Sequence, residues 1–295
     1  MATETVAPRV LPRTRRKAVP AGERVVGGLS QTVLAICAVV VVLPFLWTFM
    51  SSFKTSAQVL QSPFTLPDKL HFENYVNAWT QAGIGTFFAN TLIVVGGALV
   101  LTMVMGSMCA YFLARFQFIG NRAIYLLMVA GLTFPIFLAI VPLFFILKSL
   151  GLLGTLPGLA ITYSAFALPF TVFFMVPFFR ALPASVTEAA AIDGAGEWRT
   201  FFSVIVPMAR PAIATLSILN FVGLWNQFLL PVALNPDQRK YVLTQGMAAF
   251  AGTAGYSIDF GALFAAVVMT ILPVLVVYLI FQRALSGSVV IGADK

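Results

Sequence analysis

Residues 184–211 read ASVTEAAAIDGAGEWRTFFSVIVPMARP, a polar-containing stretch set between two apolar runs. Ser185 is placed to act as an N-cap, and Glu188 three residues on gives the spacing of a capping box. Ala189, Ala190 and Ala191 are strong helix formers. Gly194 is placed to end that helix in a left-handed turn. A second amphipathic run follows, with Trp198, Phe201, Phe202 and Ile205 expected on one side, and Pro207 and Pro211 mark the entry into the next apolar run. The expected object is a short helix, a glycine elbow and a second helix, stiff and lying at a membrane surface.

The rest of the chain supplies the membrane. Of its 295 residues, 60% are hydrophobic and 9% charged, and the mean hydropathy is +0.95. A soluble domain carries about 25% charged residues, so the expected class is an all-α integral membrane protein. Six apolar runs are long enough to cross a hydrocarbon core of about 30 Å, at roughly 29–50, 86–114, 123–147, 156–179, 212–234 and 260–282. They make one six-span membrane domain over 28–283, with a basic tail at 1–27 and a short polar tail at 284–295. The first run lacks an A-x-A cleavage site and is read as an uncleaved span. In the second, Ala98, Thr102, Gly106, Ala110 and Ala114 recur every four residues, a small-residue stripe that lets another helix approach closely. Pro135 and Pro142 fall inside the third run, and Pro157, Pro169 and Pro177 inside the fourth, where each removes a backbone bond and bends the helix.

Net charge is +8. In a soluble protein that balance would suggest nucleic acid; in this chain it reads as topology, and no nucleic-acid partner is expected. With the N-terminus inside, 13 of the 18 basic residues fall on the cytoplasmic side, among them Arg115, Arg122, Arg180, Arg199 and Arg210. Lys54, Lys69, Lys148, Arg239 and Lys240 fall outside. The excess places both termini and the 180–211 loop in the cytoplasm. Cys37 and Cys109 lie inside apolar runs and read as small hydrophobes; His71 is a lone surface histidine, and no metal site is expected.

The stretch 188–207 resembles the EAA loop of ABC-importer permeases. It has Glu188-Ala189-Ala190, then Gly194, then Val204, Val206 and Pro207; Val206 stands where the family has Leu. Further stretches extend the resemblance over nearly the whole chain, to the second permease subunit of carbohydrate importers of the maltose-transporter type. These are Phe53-Lys54-Thr55, Glu73-Asn74-Tyr75, Ala89-Asn90-Thr91, the run from Ala110 to Arg115, Pro142-Leu143-Phe144, Trp225-Asn226-Gln227-Phe228 and the small-residue tail from Ser286 to Lys295. The resemblance implies six transmembrane helices with a cytoplasmic EAA-type coupling helix, in a bacterial-type plasma membrane. Glu188, Ala189, Ala190, Asp193, Gly194 and Pro207 would meet a cytoplasmic ATPase. The implied partners are a homologous permease completing a heterodimer, a pair of ATPase subunits, and an extracytoplasmic solute-binding protein. An ordinary, well-capped cytoplasmic loop is the alternative reading of the elbow.

The chain has no phosphate loop, since no Gly-Lys pair occurs, and no H-E-x-x-H run or G-x-S-x-G elbow. No cofactor is expected in it; ATP and Mg would sit in the partner ATPase. No span carries a charge at its middle, which counts against a proton-coupled secondary transporter or channel, the principal rival. A membrane-bound enzyme would need a catalytic cluster, and only scattered single residues are available. For the transport path the candidates are Asn220, Trp225, Asn226 and Gln227, whose amides and indole suit a sugar but equally suit hydrogen bonds between helices. Tyr163 and Ser164 carry the same two readings.

Overall fold

The computed structural model describes residues 21–252 and 259–290, with side chains described for 27–252 and 259–282. The expectations for the basic tail (1–20), for residues 253–258 and for the last five residues lie outside that range. All regular secondary structure among the described residues is helical, without strands, and short turns and connectors join the helices. By its contacts the chain divides into two units, residues 1–47 and 48–295.

The first helix, α1, spans Ala21–Ser51 and begins directly after Pro20; its large apolar side chains from Leu29 to Leu46 are exposed. Then come two short helices, α2 (Ser56–Gln61) and α3 (Glu73–Thr80), and the long α4 (Ile84–Arg115). Beyond these lie α5 (Asn121–Thr133), α6 (Ile136–Ser149) and α7 (Leu156–Ala181). The elbow contributes α8 (Ala184–Ile192), α9 (Glu197–Thr200), a π-helical turn at Phe201–Ile205 and α10 (Val206–Met208). After it come α11 (Arg210–Trp225), α12 (Leu229–Leu234), α13 (Leu243–Gly252) and α14 (Phe260–Val290).

Four stretches are long and apolar enough to cross a bilayer alone: Gly27–Ser51, Ile84–Arg115, Leu156–Ala181 and Phe260–Gln282. Two more candidates are bent pairs, so six spans are present if each pair counts as one. The expected third span is thus not one helix: Asn121–Thr133 and Ile136–Ser149 meet at 108°. Pro135 forces Phe134 out of helical geometry, to an extended ψ of 120°, whereas Pro142 is accommodated inside α6. The expected fifth span likewise ends at Trp225, and 229–234 forms a separate helix. The last helix runs to Val290, beyond the expected end near 282.

The central packing is α4 against α7. The small-residue stripe does what its spacing predicts: Ala98, Thr102 and Ala110 are fully buried. A Cβ on Gly106 would stand 2.8 Å from Thr171 Cγ2. Thr102 Oγ1 donates to Ser164 Oγ at 3.0 Å, tying the two helices. One apolar cluster, around Phe87, Val94, Leu159, Trp225 and Leu243, fills one end of this packing. A second, around Tyr111, Val172, Phe179, Phe201 and Ile205, fills the other.

Several of the quoted stretches have structural work at the first of these ends. Lys54, counted above as an outer surface charge, is fully buried; its ammonium donates to the carbonyls of Ser62 and Pro63 at 3.0 Å each. Thr55 caps α2 in a capping box with Gln58. Asn74 Nδ2 donates to the carbonyls of Ser52 and Lys54. Asn90 Nδ2 donates to those of Arg239 and Tyr241, and Thr91 Oγ1 accepts from the Leu243 amide at 2.7 Å. Each polar side chain satisfies backbone groups of an irregular connector that would otherwise be buried unpaired.

Candidate functional site

Two places concentrate the candidate residues: the elbow at 184–209, and a cavity between α5, α6, α7 and α11.

The first arm of the elbow, α8, starts differently from the expectation. Pro183, with ψ of 134°, occupies the N-cap position, and no side chain caps the helix. Ser185 already lies inside the helix and cannot serve there, so the Ser185–Glu188 capping box is not formed. The far end is as expected. Gly194 has φ of +74°, and two bonds close the end: Ala195 N–H to the Ala190 carbonyl at 2.9 Å, and Gly194 N–H to the Ala191 carbonyl at 3.1 Å. This pair is the Schellman pattern, which satisfies carbonyls the helix would leave free.

The second arm splits its aromatic residues between two faces. Phe201 and Ile205 are buried, while Trp198 and Phe202 are exposed and stack on each other at 6.3 Å with 14° between planes. One amphipathic face holding all four is therefore incorrect. The π-helical turn at 201–205 accounts for part of this, because a wider turn changes which residues share a face. Pro207 cannot donate to the Ser203 carbonyl, and the Val206 amide instead reaches back to Phe201. At Ala209, buried completely, the chain bends by 79° into α11.

The elbow is clamped to the spans. The Phe201 ring lies 5.2 Å from that of Tyr111 on α4, whose other face meets Phe179 on α7 at 5.8 Å. Arg115, at the end of α4, donates from Nη2 to the Leu182 carbonyl at 2.7 Å, fixing the residue before Pro183. Arg115 and Tyr111 were missed as parts of this device, although both stand in the quoted 110–115 run. The opposite face is not packed against the described residues: Glu188, Ala189, Asp193 and Gly194 are exposed, and Ile192 is 86% exposed. Ala190 is not part of that face. It is 8% exposed and supports the helix from inside, so the flat partner surface expected of Ala189 and Ala190 together reduces to Ala189. Pro207 is half-buried in α10.

The cavity holds about 320 Å³. Its walls come from the α5–α6 break (Gly131, Leu132, Phe134, Ile136), from α7 (Tyr163, Phe166, Ala167, Phe170), from α11 (Leu219, Asn220, Gly223, Leu224) and from Gln227 just beyond the end of α11. Tyr163, Ala167 and Phe170 stand at i, i+4 and i+7 of α7, and Asn220 and Leu224 at i and i+4 of α11, so each helix presents one face. The Tyr163 hydroxyl is buried and has no hydrogen-bond partner among the described residues. Asn220, also buried, donates from Nδ2 to Thr171 Oγ1 at 2.9 Å.

The four transport-path candidates separate here. Asn220 and Gln227 line the cavity. Trp225 does not: it is 2% exposed, packed between Phe88 and Phe221, with its indole N–H donating to the Thr270 carbonyl at 3.1 Å. Asn226 is exposed at the end of α11 and donates to the Val222 carbonyl at 2.8 Å. Ser164 is taken up by Thr102. Among the described residues no cluster of His, Cys, Asp or Glu is arranged to hold a metal.

Residues 102–290 match the family model described as "Binding-protein-dependent transport system inner membrane component". The chain is 60% identical over 279 residues to the diacetylchitobiose uptake system permease protein NgcG of Streptomyces coelicolor, covering 95% of this chain and 92% of that one. It is 34% identical over 257 residues to the trehalose transport system permease protein SugB of Mycobacterium tuberculosis, covering 86% and 92%. Among solved structures, a chain of a bacterial ABC transporter that imports the acidic polysaccharide alginate superposes with a TM-score of 0.80 at 26% identity, over 90% of this chain and 98% of that one.

Proposed function

This chain belongs to the family of binding-protein-dependent transport system inner membrane components and is a multi-pass translocation subunit of an ABC importer, and from that premise we propose that it moves a sugar or oligosaccharide and takes its drive through the 184–209 elbow. The observation that carries the coupling role is the two-sidedness of that elbow. One side, Phe201 and Ile205 with the Arg115 bond, is fused to the ends of α4 and α7; the other presents Glu188, Ala189, Ile192 and Asp193, left exposed by the described residues. A lever between two bodies needs such an arrangement: rigid internally, packed on the part it moves, bare toward the part that pushes.

In this reading a cytoplasmic ATPase pair, which binds the ATP and Mg, seats the bare face of the elbow. A homologous permease completes the pathway, and an extracytoplasmic binding protein delivers the solute to the opposite end. Both termini and the elbow are cytoplasmic, as the distribution of basic residues favours.

The cavity is the proposed solute-facing surface of this half. Its aromatic walls, the unpartnered Tyr163 hydroxyl and the amides of Asn220 and Gln227 suit a carbohydrate. A sugar presents apolar ring faces together with hydroxyls that both donate and accept, and a buried hydroxyl without a partner gains from either. Relatives that carry a diacetylchitobiose or a trehalose import function favour oligosaccharides. Substrate would pass by alternating access.

The test is twofold. In sealed vesicles, a cysteine placed at Ile192 should react with a membrane-impermeant maleimide only from the cytoplasmic side; reaction from outside ends the coupling proposal. In reconstituted complexes, uptake across a panel of mono- and oligosaccharides should select one class, and Tyr163→Phe should shift that selectivity. A complex importing only non-carbohydrate solutes ends the substrate proposal.

A further inference from the structure

A second cavity, of about 750 Å³, opens where α4 ends and α5 begins. Arg122 and Arg180 line it, together with Gln117, Asn121, Phe118 and Leu126, and its lining contains no Asp or Glu. Among the described residues no carboxylate forms an ion pair with Arg115, Arg122 or Arg180. The turn that builds it is fixed: Gly120 takes φ of +97°, and Asn121 Nδ2 holds the Leu113 and Phe116 carbonyls at 3.2 and 2.6 Å. Arg180 is held against the Tyr125 ring at 5.7 Å, which orients the guanidinium without neutralising it.

We propose that this cavity binds the phosphate-bearing headgroup of an anionic phospholipid. Two guanidiniums without counter-charge line one cavity at the ends of membrane-crossing helices, and planar guanidinium forks match phosphate oxygens. Basic pockets between membrane helices are suited to lipid headgroups for that reason. Size and lining select the lipid over a free phosphate: the volume far exceeds one phosphate group, and Phe118 and Leu126, both exposed, continue the wall as apolar surface for acyl carbons. Beyond the family reading, the inference requires only that these helices span a bilayer; it is independent of the sugar and of the ATPase contact.

The experiment is lipid retention by the full chain, purified with its partner subunits and analysed by native mass spectrometry after exchange into phosphatidylglycerol, phosphatidylcholine, or phosphatidylglycerol plus inorganic phosphate. Phosphatidylglycerol should be retained and phosphatidylcholine lost. Arg122→Gln should weaken retention roughly fivefold, and Arg122→Gln with Arg180→Gln roughly thirtyfold, at the usual worth of a basic residue near an anionic surface. Arg122 is exposed and has no hydrogen bond among the described residues, so the single variant, and Arg122→Glu after it, report even if the double variant does not assemble. Equal retention of the two lipids, or retention unchanged in Arg122→Glu, overturns the proposal. Displacement of phosphatidylglycerol by inorganic phosphate reassigns the site to free phosphate and overturns it equally. So does retention gained rather than lost when the ATPase subunits are removed, which would make the cavity a protein contact.

Discussion

Gly194 offers the sharpest test of the coupling proposal, because its role is conformational and separable from contact. Its φ is +74°, and a Cβ built on it meets nothing within 4 Å. A first side-chain carbon therefore meets no neighbour, and the cost of adding it is the left-handed backbone, about 1–2 kcal/mol for a residue with a Cβ. That corresponds to a loss of roughly 5- to 30-fold in the population of the native elbow relative to reopened forms. A β-branched residue sits at the top of that range, whereas Asn tolerates the left-handed region and stands in for Gly at helix ends. Gly194→Asn should thus lie close to the native protein, Gly194→Ala below it, and Gly194→Val lowest. The assay is paired: ATP hydrolysis and solute uptake by the same purified complex in proteoliposomes, with membrane insertion checked by immunoblot. The expected result is a falling ratio of uptake to hydrolysis in the order Asn, Ala, Val, at constant insertion. A Gly194→Val complex that transports with the native ratio would refute the claim that a rigid elbow transmits the drive.

Other outcomes follow from the same geometry. Glu188→Lys inverts the charge on an exposed side chain, so it should leave thermal stability within about 0.5 kcal/mol of native while lowering coupled uptake; an unchanged ratio of uptake to hydrolysis would make Glu188 a bystander. Gly106→Val places carbon 2.8 Å from Thr171 Cγ2 and should destabilise the α4–α7 packing by about 1–3 kcal/mol, measured as a lowered melting temperature of the purified complex. Trp225→Phe keeps the ring stacking but leaves the Thr270 carbonyl without its indole donor, at a cost of about 1 kcal/mol; substrate selectivity should not move, in contrast to Tyr163→Phe. Asp237, on an exposed connector, is held below the usual carboxylate range, chiefly by its side-chain hydrogen bond with Arg239. Its small contribution is present above its ordinary value and is lost as pH falls through the lower folded one. Asp237→Asn should therefore remove that small contribution at neutral pH, leave stability in strong acid unchanged, and so flatten the acid end of the stability profile.

What was legible in the sequence was local and periodic. The four-residue stripe of α4 and the glycine that ends α8 each depend on spacing alone, and both stand where they were expected. Ser185 misled because its fitness as a cap says nothing of Pro183, which occupies the position first and leaves the serine inside the helix. The third span misled because Pro135 and Pro142 look alike in sequence. Only the former has a neighbour, Phe134, that turns to extended geometry, while the latter is absorbed into α6. Trp225 looked like a platform for a sugar because an aromatic beside two amides suits one; nothing local reveals that Phe88 and the Thr270 carbonyl, both remote in sequence, already enclose it together with Phe221, one turn back on its own helix. Lys54 was likewise counted only as an outer charge, since nothing in the local pattern shows that the chain turns after α2 and brings the Ser62 and Pro63 carbonyls onto its ammonium. The cavity was half legible. Asn220 and Gln227 were singled out, but its third wall is the bend at 134–135, and a bend read as a straight span leaves no cavity to find.

The π-helical turn at 201–205 places one surplus residue in the helix that joins elbow to span. Absorbing that residue into ordinary α geometry would rotate what directly follows it by about 100°, and α10, Ala209 and the start of α11 follow it directly. The joint thus ties the bearing of α11, which carries Asn220, to the state of five residues in the elbow's second arm, so the orientation of that cavity wall is set from the same end of the molecule that bears the exposed Ile192.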